Sequence, residues 1–240
     1  MRPFALFTSA IALTGFFLEG LYVHLRGLGY ARMHLVARKW GQRILRWPGV
    51  VVTVEGEEKI PRGGPCLFVA NHVSYSDTPI LMAHLPVDFR FLAKASLFKV
   101  PIIGTHLRHG GHVGVVRDDP RAAVASLNEA AAILREQRTS VVIFAEGTRS
   151  HGEGMREFRS GAAHLAIQTQ VPVVPLAIMG SAEALPKDYF SLQRSRVRVV
   201  IGEAVATEGL TRRDRDAFTA KLQEAVSSLL EGARGAGARE

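Results

Sequence analysis

Between Val50 and Gly202 the chain alternates short runs rich in Val, Ile, Leu and Phe with longer stretches of helical character, and this alternation limits its fold. The apolar runs fall at 50–54, 66–70, 88–93, 113–116, 140–145, 171–178 and 196–201. Several are apolar without a break, such as Cys66-Leu67-Phe68-Val69-Ala70. A strand with one face in water alternates apolar and polar residues, so unbroken runs imply a sheet covered by helices on both faces. Helices are predicted at 77–85, 96–108, 120–137, 159–169 and 211–231, the third opened by Pro120 ahead of an Ala-rich segment. The expected class is α/β, a central sheet flanked by helices. No repeat or shift in composition divides residues 48–231, which form one domain. Residues 232–240 are mostly Gly and Ala, and a frayed tail is expected there.

Charge separates the first 47 residues from the rest. Arg26, Arg32, Arg38, Lys39, Arg43 and Arg46 carry six positive charges with no acidic residue among them, against a net of +8 for the chain. Such a balance draws a protein to anionic partners. Upstream, residues 4–18 are uncharged and mostly apolar, too short to span a hydrocarbon core that needs about 20 residues. A signal peptide has a similar length, but the basic segment that follows opposes translocation. Met33, Ala37, Trp40, Ile44 and Trp47 recur at four-three spacing, one side of a helix, beside a stripe of Arg32, Lys39, Arg43 and Arg46. Cations flanking a Trp-bearing apolar face suit a helix lying in a membrane interface. Residues 1–47 therefore read as two membrane-associating helices, turned near Gly27-Leu28-Gly29. The expected location is the cytoplasmic face of a membrane, the inner membrane in a bacterium. Cys66 is the lone cysteine, which rules out an intrachain disulfide and fits a reducing compartment; its apolar run marks it as a core residue.

Two segments carry chemistry. Asn71-His72-Val73-Ser74-Tyr75-Ser76-Asp77 follows a strand, where α/β folds gather ligands. Along a continuous helix, side chains five apart point about 140° away from each other. His72 and Asp77 meet only if His72 stays in the turn while Asp77 begins the helix. The carboxylate then takes one ring proton and leaves the other nitrogen as a base. Such a base removes the proton of a bound alcohol, which attacks a thioester without any protein nucleophile. Read alone, the same residues equally suit a helix cap and a turn. The second segment, Phe144-Ala145-Glu146-Gly147-Thr148-Arg149-Ser150, also follows a strand. Gly147 permits a tight turn, Arg149 presents a planar fork suited to phosphate, and Glu146 holds the loop or a substrate hydroxyl. A surface turn is the plainer reading of this segment.

Taken together, the two segments resemble the signature of the glycerolipid acyltransferases of the 1-acylglycerol-3-phosphate acyltransferase type: Asn-His-x-x-x-x-Asp followed by Phe-Pro-Glu-Gly-Thr-Arg-Ser. The resemblance covers roughly residues 50–205. It implies a mixed central sheet, His72 and Asp77 as catalytic dyad, and an acceptor site shaped by Glu146, Gly147, Thr148 and Arg149. Gly111-His112-Val113-Gly114-Val115-Val116-Arg117 resembles a block ending in a phosphate-contacting arginine, here Arg117. Phe91-Leu92-Ala93-Lys94 resembles a strand end whose lysine faces the same phosphate, and Val171-Pro172-Val173-Val174-Pro175 an apolar block beside the acyl pocket. Arg156-Glu157-Phe158-Arg159-Ser160-Gly161 resembles the basic-aromatic stretch after the third block. Ala145 stands where the family usually has proline, and Val116 where an Asp or Asn is common. The implied reaction moves a fatty acyl group from acyl-CoA or acyl-carrier protein to the 2-hydroxyl of lysophosphatidate, giving phosphatidic acid for phospholipid synthesis. No cofactor is implied, and the partners are the two substrates and membrane lipids. Another lyso-lipid acceptor, or a non-catalytic lipid-binding relative, are the alternatives; the latter predicts an altered dyad.

Other classes fit less well. His106, His109 and His112 are spaced by three, with His84 a further candidate, but no cysteine or carboxylate accompanies them and Gly110-Gly111 breaks the helix, so no metal is expected. The positive charge sits beside an apolar anchor rather than among exposed aromatics, which argues against nucleic acid. Gly110-Gly111-x-x-Gly114 lacks the spacing of a dinucleotide loop.

Overall fold

In a computed structural model, the described residues are 15–16, 18–116, 119–151, 154–189 and 191–237, with side chains described up to residue 233 in the last helix. Among the described residues, seven strands form one sheet: β1 (Val50–Glu55), β2 (Leu67–Ala70), β3 (Phe89–Lys94), β4 (Val113–Val115), β5 (Ser140–Phe144), β6 (Val173–Met179) and β7 (Ser195–Ile201). Their order is β1-β7-β6-β2-β5-β3-β4. Only the β6–β7 pair is antiparallel, so the sheet is mixed, as the family resemblance implies.

Alternation along β2 divides the core. Phe68 and Ala70 join a cluster with Ile80, Phe89, Phe91 and Leu176 on one face, while Leu67 and Val69 join Leu134, Leu165, Leu222 and Val226 on the other. The first face is covered by helices α2 (Gly29–Arg46) and α3 (Asp77–His84), the second by α5 (Pro120–Arg135), α6 (Gly161–Thr169) and α8 (Arg215–Gly237). A helical segment α1, residues 18–25, leads into α2, and a short α4 (Ile103–His109) lies beside α2. One-turn α7 (Ser181–Ala184), which no periodicity announced, follows β6. Cys66 is buried, and burial pushes its thiol up to about 12, an inert core residue as expected.

Three expectations need correction. The helix expected over 96–108 is a 3-10 turn (Ala95–Lys99) followed by α4. Pro101 disfavours helical backbone at Val100, which is extended at ψ 126°, and Ile102 adopts φ 66° before the chain resumes a helix. At the far end, α8 continues to Gly237, into the stretch assigned to a frayed tail. The third concerns the amphipathic face of α2. Met33, Val36, Ala37, Gly41 and Leu45 are buried, and Trp40 and Ile44 pack on the same cluster. The protein's own core, not a bilayer, takes up that stripe; Trp47 alone of the predicted face stays outside, 68% exposed.

The chain does turn where expected, with Gly27 (φ 59°) and Gly29 (φ 77°) in left-handed backbone between α1 and α2. Most of the apolar run at 4–18 lies outside the described residues, among which no helix is long and apolar enough to cross a membrane.

The α2–α3 contact is close because Gly41 has no side chain. A Cβ there would stand 2.9 Å from the Pro79 carbonyl oxygen and 3.2 Å from the Ala83 Cβ. Gly41→Val is expected to lower stability by about 1–3 kcal/mol through overpacking, read from the midpoint of urea unfolding.

Candidate active site

The strand β2 delivers His72 to the carboxyl edge of the sheet, and Asn71 anchors it there. The Asn71 side-chain amide donates to the Ile178 carbonyl (2.9 Å) and its oxygen accepts from the Ile178 N–H (2.8 Å). This pair prolongs the β2–β6 ladder by one side chain. Beyond it the chain leaves the sheet, and Asp77 opens α3, where the helix dipole favours a carboxylate.

Asp77 is fully buried. Its Oδ2 accepts from His72 Nδ1–H at 2.8 Å, from the Val73 N–H at 2.7 Å and from the Ser74 N–H at 2.9 Å. Only the Nδ1 proton can serve a carboxylate oxygen, so His72 is held as the tautomer with Nε2 unprotonated. The ring also lies flat on Phe144, with centroids 4.1 Å apart and planes 15° from parallel. Orientation and tautomer are thus both set before any substrate arrives.

The loop after β5 closes over the same place. Glu146 is buried and uses both oxygens: Oε1 accepts from the His72 N–H (2.6 Å), Oε2 from the Arg156 N–H (2.9 Å). Burial raises its carboxyl above the usual range, opposed in part by those two bonds. The folded state therefore holds the proton more tightly, and this group's contribution to stability falls as pH rises from the unfolded value through the folded one. Of the two roles open to Glu146, holding the loop is the one these bonds support. The Ser150 N–H donates to the His72 carbonyl (2.8 Å) and the His151 N–H to that of Val73 (3.2 Å), lacing the two segments together. Ala145, the departure from the family's proline, donates its N–H to the Ala70 carbonyl (3.1 Å), a bond that proline could not make.

Among the cavities beside these loops, two are lined by Arg159 and Arg149 respectively. The first, of about 210 Å³, is lined by Leu92, Val115, Ile143, Phe144, Gly147 and Arg159 among others. Gly147 sits at φ 70°, and a Cβ there would lie 2.8 Å from Arg159 Cδ and Nε. Lys94, exposed at the end of β3, shares the sheet edge on this side, next to β4. Thr148 is exposed at the loop tip. The second cavity, on the β6 side, contains Arg149, whose guanidinium carbon stands 3.4 Å from the centroid of Tyr75. Arg117 lies outside the described residues. The spaced histidines have separate places: His106 stacks on Phe16 (3.4 Å), His109 on His24 (3.5 Å), and His112 accepts from the Phe91 N–H (2.9 Å). Burial lowers His106 to about 4 and His112 to about 3, so both are neutral packing groups at pH 7.

The sequence model of the family described as Acyltransferase matches residues 51–179, which include both loops. The chain belongs to that family. A chloroplastic 1-acyl-sn-glycerol-3-phosphate acyltransferase of Brassica napus is 33% identical over 174 residues, 72% of this chain and 50% of the relative. A human protein named 1-acyl-sn-glycerol-3-phosphate acyltransferase alpha is 30% identical over 181 residues, 75% of this chain and 64% of its own. The chain spans about half the length of plant relatives such as the first. Among solved structures, the 1-acyl-sn-glycerophosphate acyltransferase PlsC from Thermotoga maritima matches with a TM-score of 0.74 at 25% identity, covering 94% of this chain and 97% of that one.

In this member of the family, sequence reasoning paired His72 with Asp77 and placed Glu146 in the second loop. It missed Asn71 as the anchor, Phe144 as the platform and Arg159 beside Gly147. Arg159 was visible only as one cation in a basic-aromatic stretch, since nothing local says which of Arg156 and Arg159, both exposed, stands beside Gly147. Asp77→Asn keeps a side chain of similar shape but loses the acceptor that selects the tautomer. Acyl transfer is expected to fall by a factor on the order of 10⁴, the scale known for an Asp→Asn change beside a catalytic histidine, with circular dichroism unchanged.

Proposed function

We propose that this protein transfers a fatty acyl group from an acyl thioester to the 2-hydroxyl of 1-acyl-sn-glycerol 3-phosphate, giving phosphatidic acid. The observation that carries this reading is the 2.8 Å bond from His72 Nδ1 to Asp77, which leaves Nε2 as the base. Nε2 takes the hydroxyl proton as the oxygen attacks the thioester carbonyl. A C–O ester bond forms, the C–S bond breaks, and the imidazolium returns its proton to the departing thiolate. Atoms and charges balance with no further cofactor. Asp77 steadies the imidazolium while it lasts. Arg159 in the smaller cavity, Arg149 in the loop after β5 and Lys94 at the end of β3 supply cations for the acceptor phosphate, the first beside apolar walls for its chain; Arg117, by sequence, belongs to the same group. The names of the Brassica and human relatives support the acceptor, since each specifies 1-acyl-sn-glycerol 3-phosphate.

The test is an assay of purified protein with lysophosphatidate, a neutral lyso-lipid and a lyso-aminolipid as acceptors. Wild type is expected to acylate lysophosphatidate preferentially, and His72→Ala to abolish turnover while melting as wild type does. Equal use of all three acceptors, or activity surviving in His72→Ala, overturns the reading.

The reaction is proposed to take place at the cytoplasmic face of a membrane. Leu18, Tyr22, Leu25 and Leu28 are exposed along α1 and its turn, with Leu25 74% exposed. Arg26, Arg32, Lys39 and Arg43 are exposed on the same two helices. An apolar ridge edged by cations suits the interface of an anionic bilayer. The double variant Leu18→Ser, Leu25→Ser is expected to stop co-sedimenting with anionic vesicles at unchanged melting temperature. Retained sedimentation removes α1 from the membrane contact.

A further inference from the structure

Three rings stand in a column behind the dyad. The His72 imidazole lies on Phe144, with centroids 4.1 Å apart and planes 15° from parallel. Phe144 in turn lies on Phe91, 5.8 Å away and 14° from parallel. The sheet builds this column. Phe144 on β5 stands opposite Ala70 on β2, and His72 follows Ala70 by two residues. Diagonal neighbours across two strands are within reach of aromatic side chains. Ala70 offers only a methyl group, which leaves room for the Phe144 ring to lean along the strand to the imidazole. On the other side, Phe91 on β3 stands opposite Val142, two residues before Phe144 and on the same face. Phe91 is buried and set edge-on to Phe89 (5.0 Å, 88°), so the platform under His72 is itself supported.

Filling space beside His72 asks only for apolar volume, which an aliphatic side chain supplies as well. A ring face adds a quadrupole, negative at the face, that attracts a cation lying over it. A neutral imidazole gains only stacking from Phe144; an imidazolium gains this attraction besides. Asp77 meets the imidazolium in its own plane, through Nδ1–H at 2.8 Å, whereas Phe144 meets it from the face, so the two act together. The His72 side chain is 12% exposed, which leaves little water to screen either. An interaction that strengthens as the proton moves lowers the barrier instead of merely tightening binding.

We propose that Phe144 takes part in acyl transfer by stabilising, through its ring face, the imidazolium that His72 becomes on accepting the hydroxyl proton. This rests on the acyltransferase reading above and deepens it with a positioning residue. Phe144 exchanges no proton itself and works through His72. The ionisable groups facing His72 are Asp77, from α3, and Glu146, from the loop after β5. A change confined to residue 144 leaves both in place.

The experiment replaces Phe144 by mono-, tri- and pentafluorinated phenylalanine, with Phe144→Leu alongside. Fluorine draws electrons from the ring face while nearly keeping its shape, so the attraction fades stepwise and the packing does not. Two quantities are read: kcat and kcat/KM against pH, and the titration midpoint of the His72 ring by NMR, its resonance identified by its loss in His72→Ala. A stabilised imidazolium holds its proton to higher pH, so weakening the ring face moves the midpoint down. The NMR midpoint and the acidic limb of kcat/KM are expected to fall together with each step, by about 0.5–1 pH unit at the pentafluoro ring and in Phe144→Leu. On the alkaline plateau kcat is expected to fall roughly three- to tenfold. A midpoint constant across the fluorinated series overturns the inference, whatever Phe144→Leu does to activity or melting temperature; so does a midpoint that moves while kcat stays at the wild-type value. Absence of acyl transfer by wild type instead refutes the underlying reading, so the two failures are distinguishable.

Discussion

One carboxylate oxygen organises this protein's candidate active site. Asp77 Oδ2 receives three donors, two from backbone and one from the His72 ring, inside a region closed to water. Burying a carboxylate costs several kcal/mol unless hydrogen bonds replace its hydration. At Oδ2 the replacement comes largely from the loop itself, through the N–H groups of Val73 and Ser74, while Oδ1 is buried without a hydrogen-bond partner. The direction of the imidazole is then a consequence of the backbone's shape. The orientation of the imidazole and local folding are one constraint, because the loop cannot relax without taking from Oδ2 the donors it has.

Glu146 applies the same device from the other loop. Its two oxygens hold the His72 N–H and the Arg156 N–H, and so connect the dyad to the segment that carries Arg159. Adjacency of β2 and β5 is what makes this possible, since residues 72 and 146 meet only because their strands are neighbours in register. The Ala145 N–H bond to Ala70 extends that register one residue past the ladder, giving a physical use to the position where this chain departs from its family's proline. Rigidity that a proline ring would lend to the turn is supplied here by a hydrogen bond.

Much of this was legible in the residues, for reasons particular to each. The strands were readable because burial on both faces leaves no room for polar alternation, as in Leu67–Ala70. The dyad was readable because a helix-opening Asp five residues after a turn His can meet it in one geometry only. The 96–108 segment was misread because apolar spacing suggested one helix while Pro101 interrupted it, a local backbone rule outweighing the pattern. The face of α2 was read correctly as apolar and wrongly as lipid-facing. Periodicity reports that a face is hidden from water, and has no means of saying whether protein or lipid hides it.

The sequence by itself determined the α/β class, the pairing of His72 with Asp77 and the family, because these depend on spacing along the chain and on residue chemistry. Only the tertiary structure decided that Arg159 stands beside Gly147, that Arg149 lies over Tyr75 in a separate cavity, and that α2 is spent on the core. Those facts depend on which strands are neighbours and which side of β2 each loop falls. Contacts between residues more than a hundred positions apart, such as Asn71 with Ile178, leave no trace in local pattern, because the interactions that create them exist only after the sheet has formed.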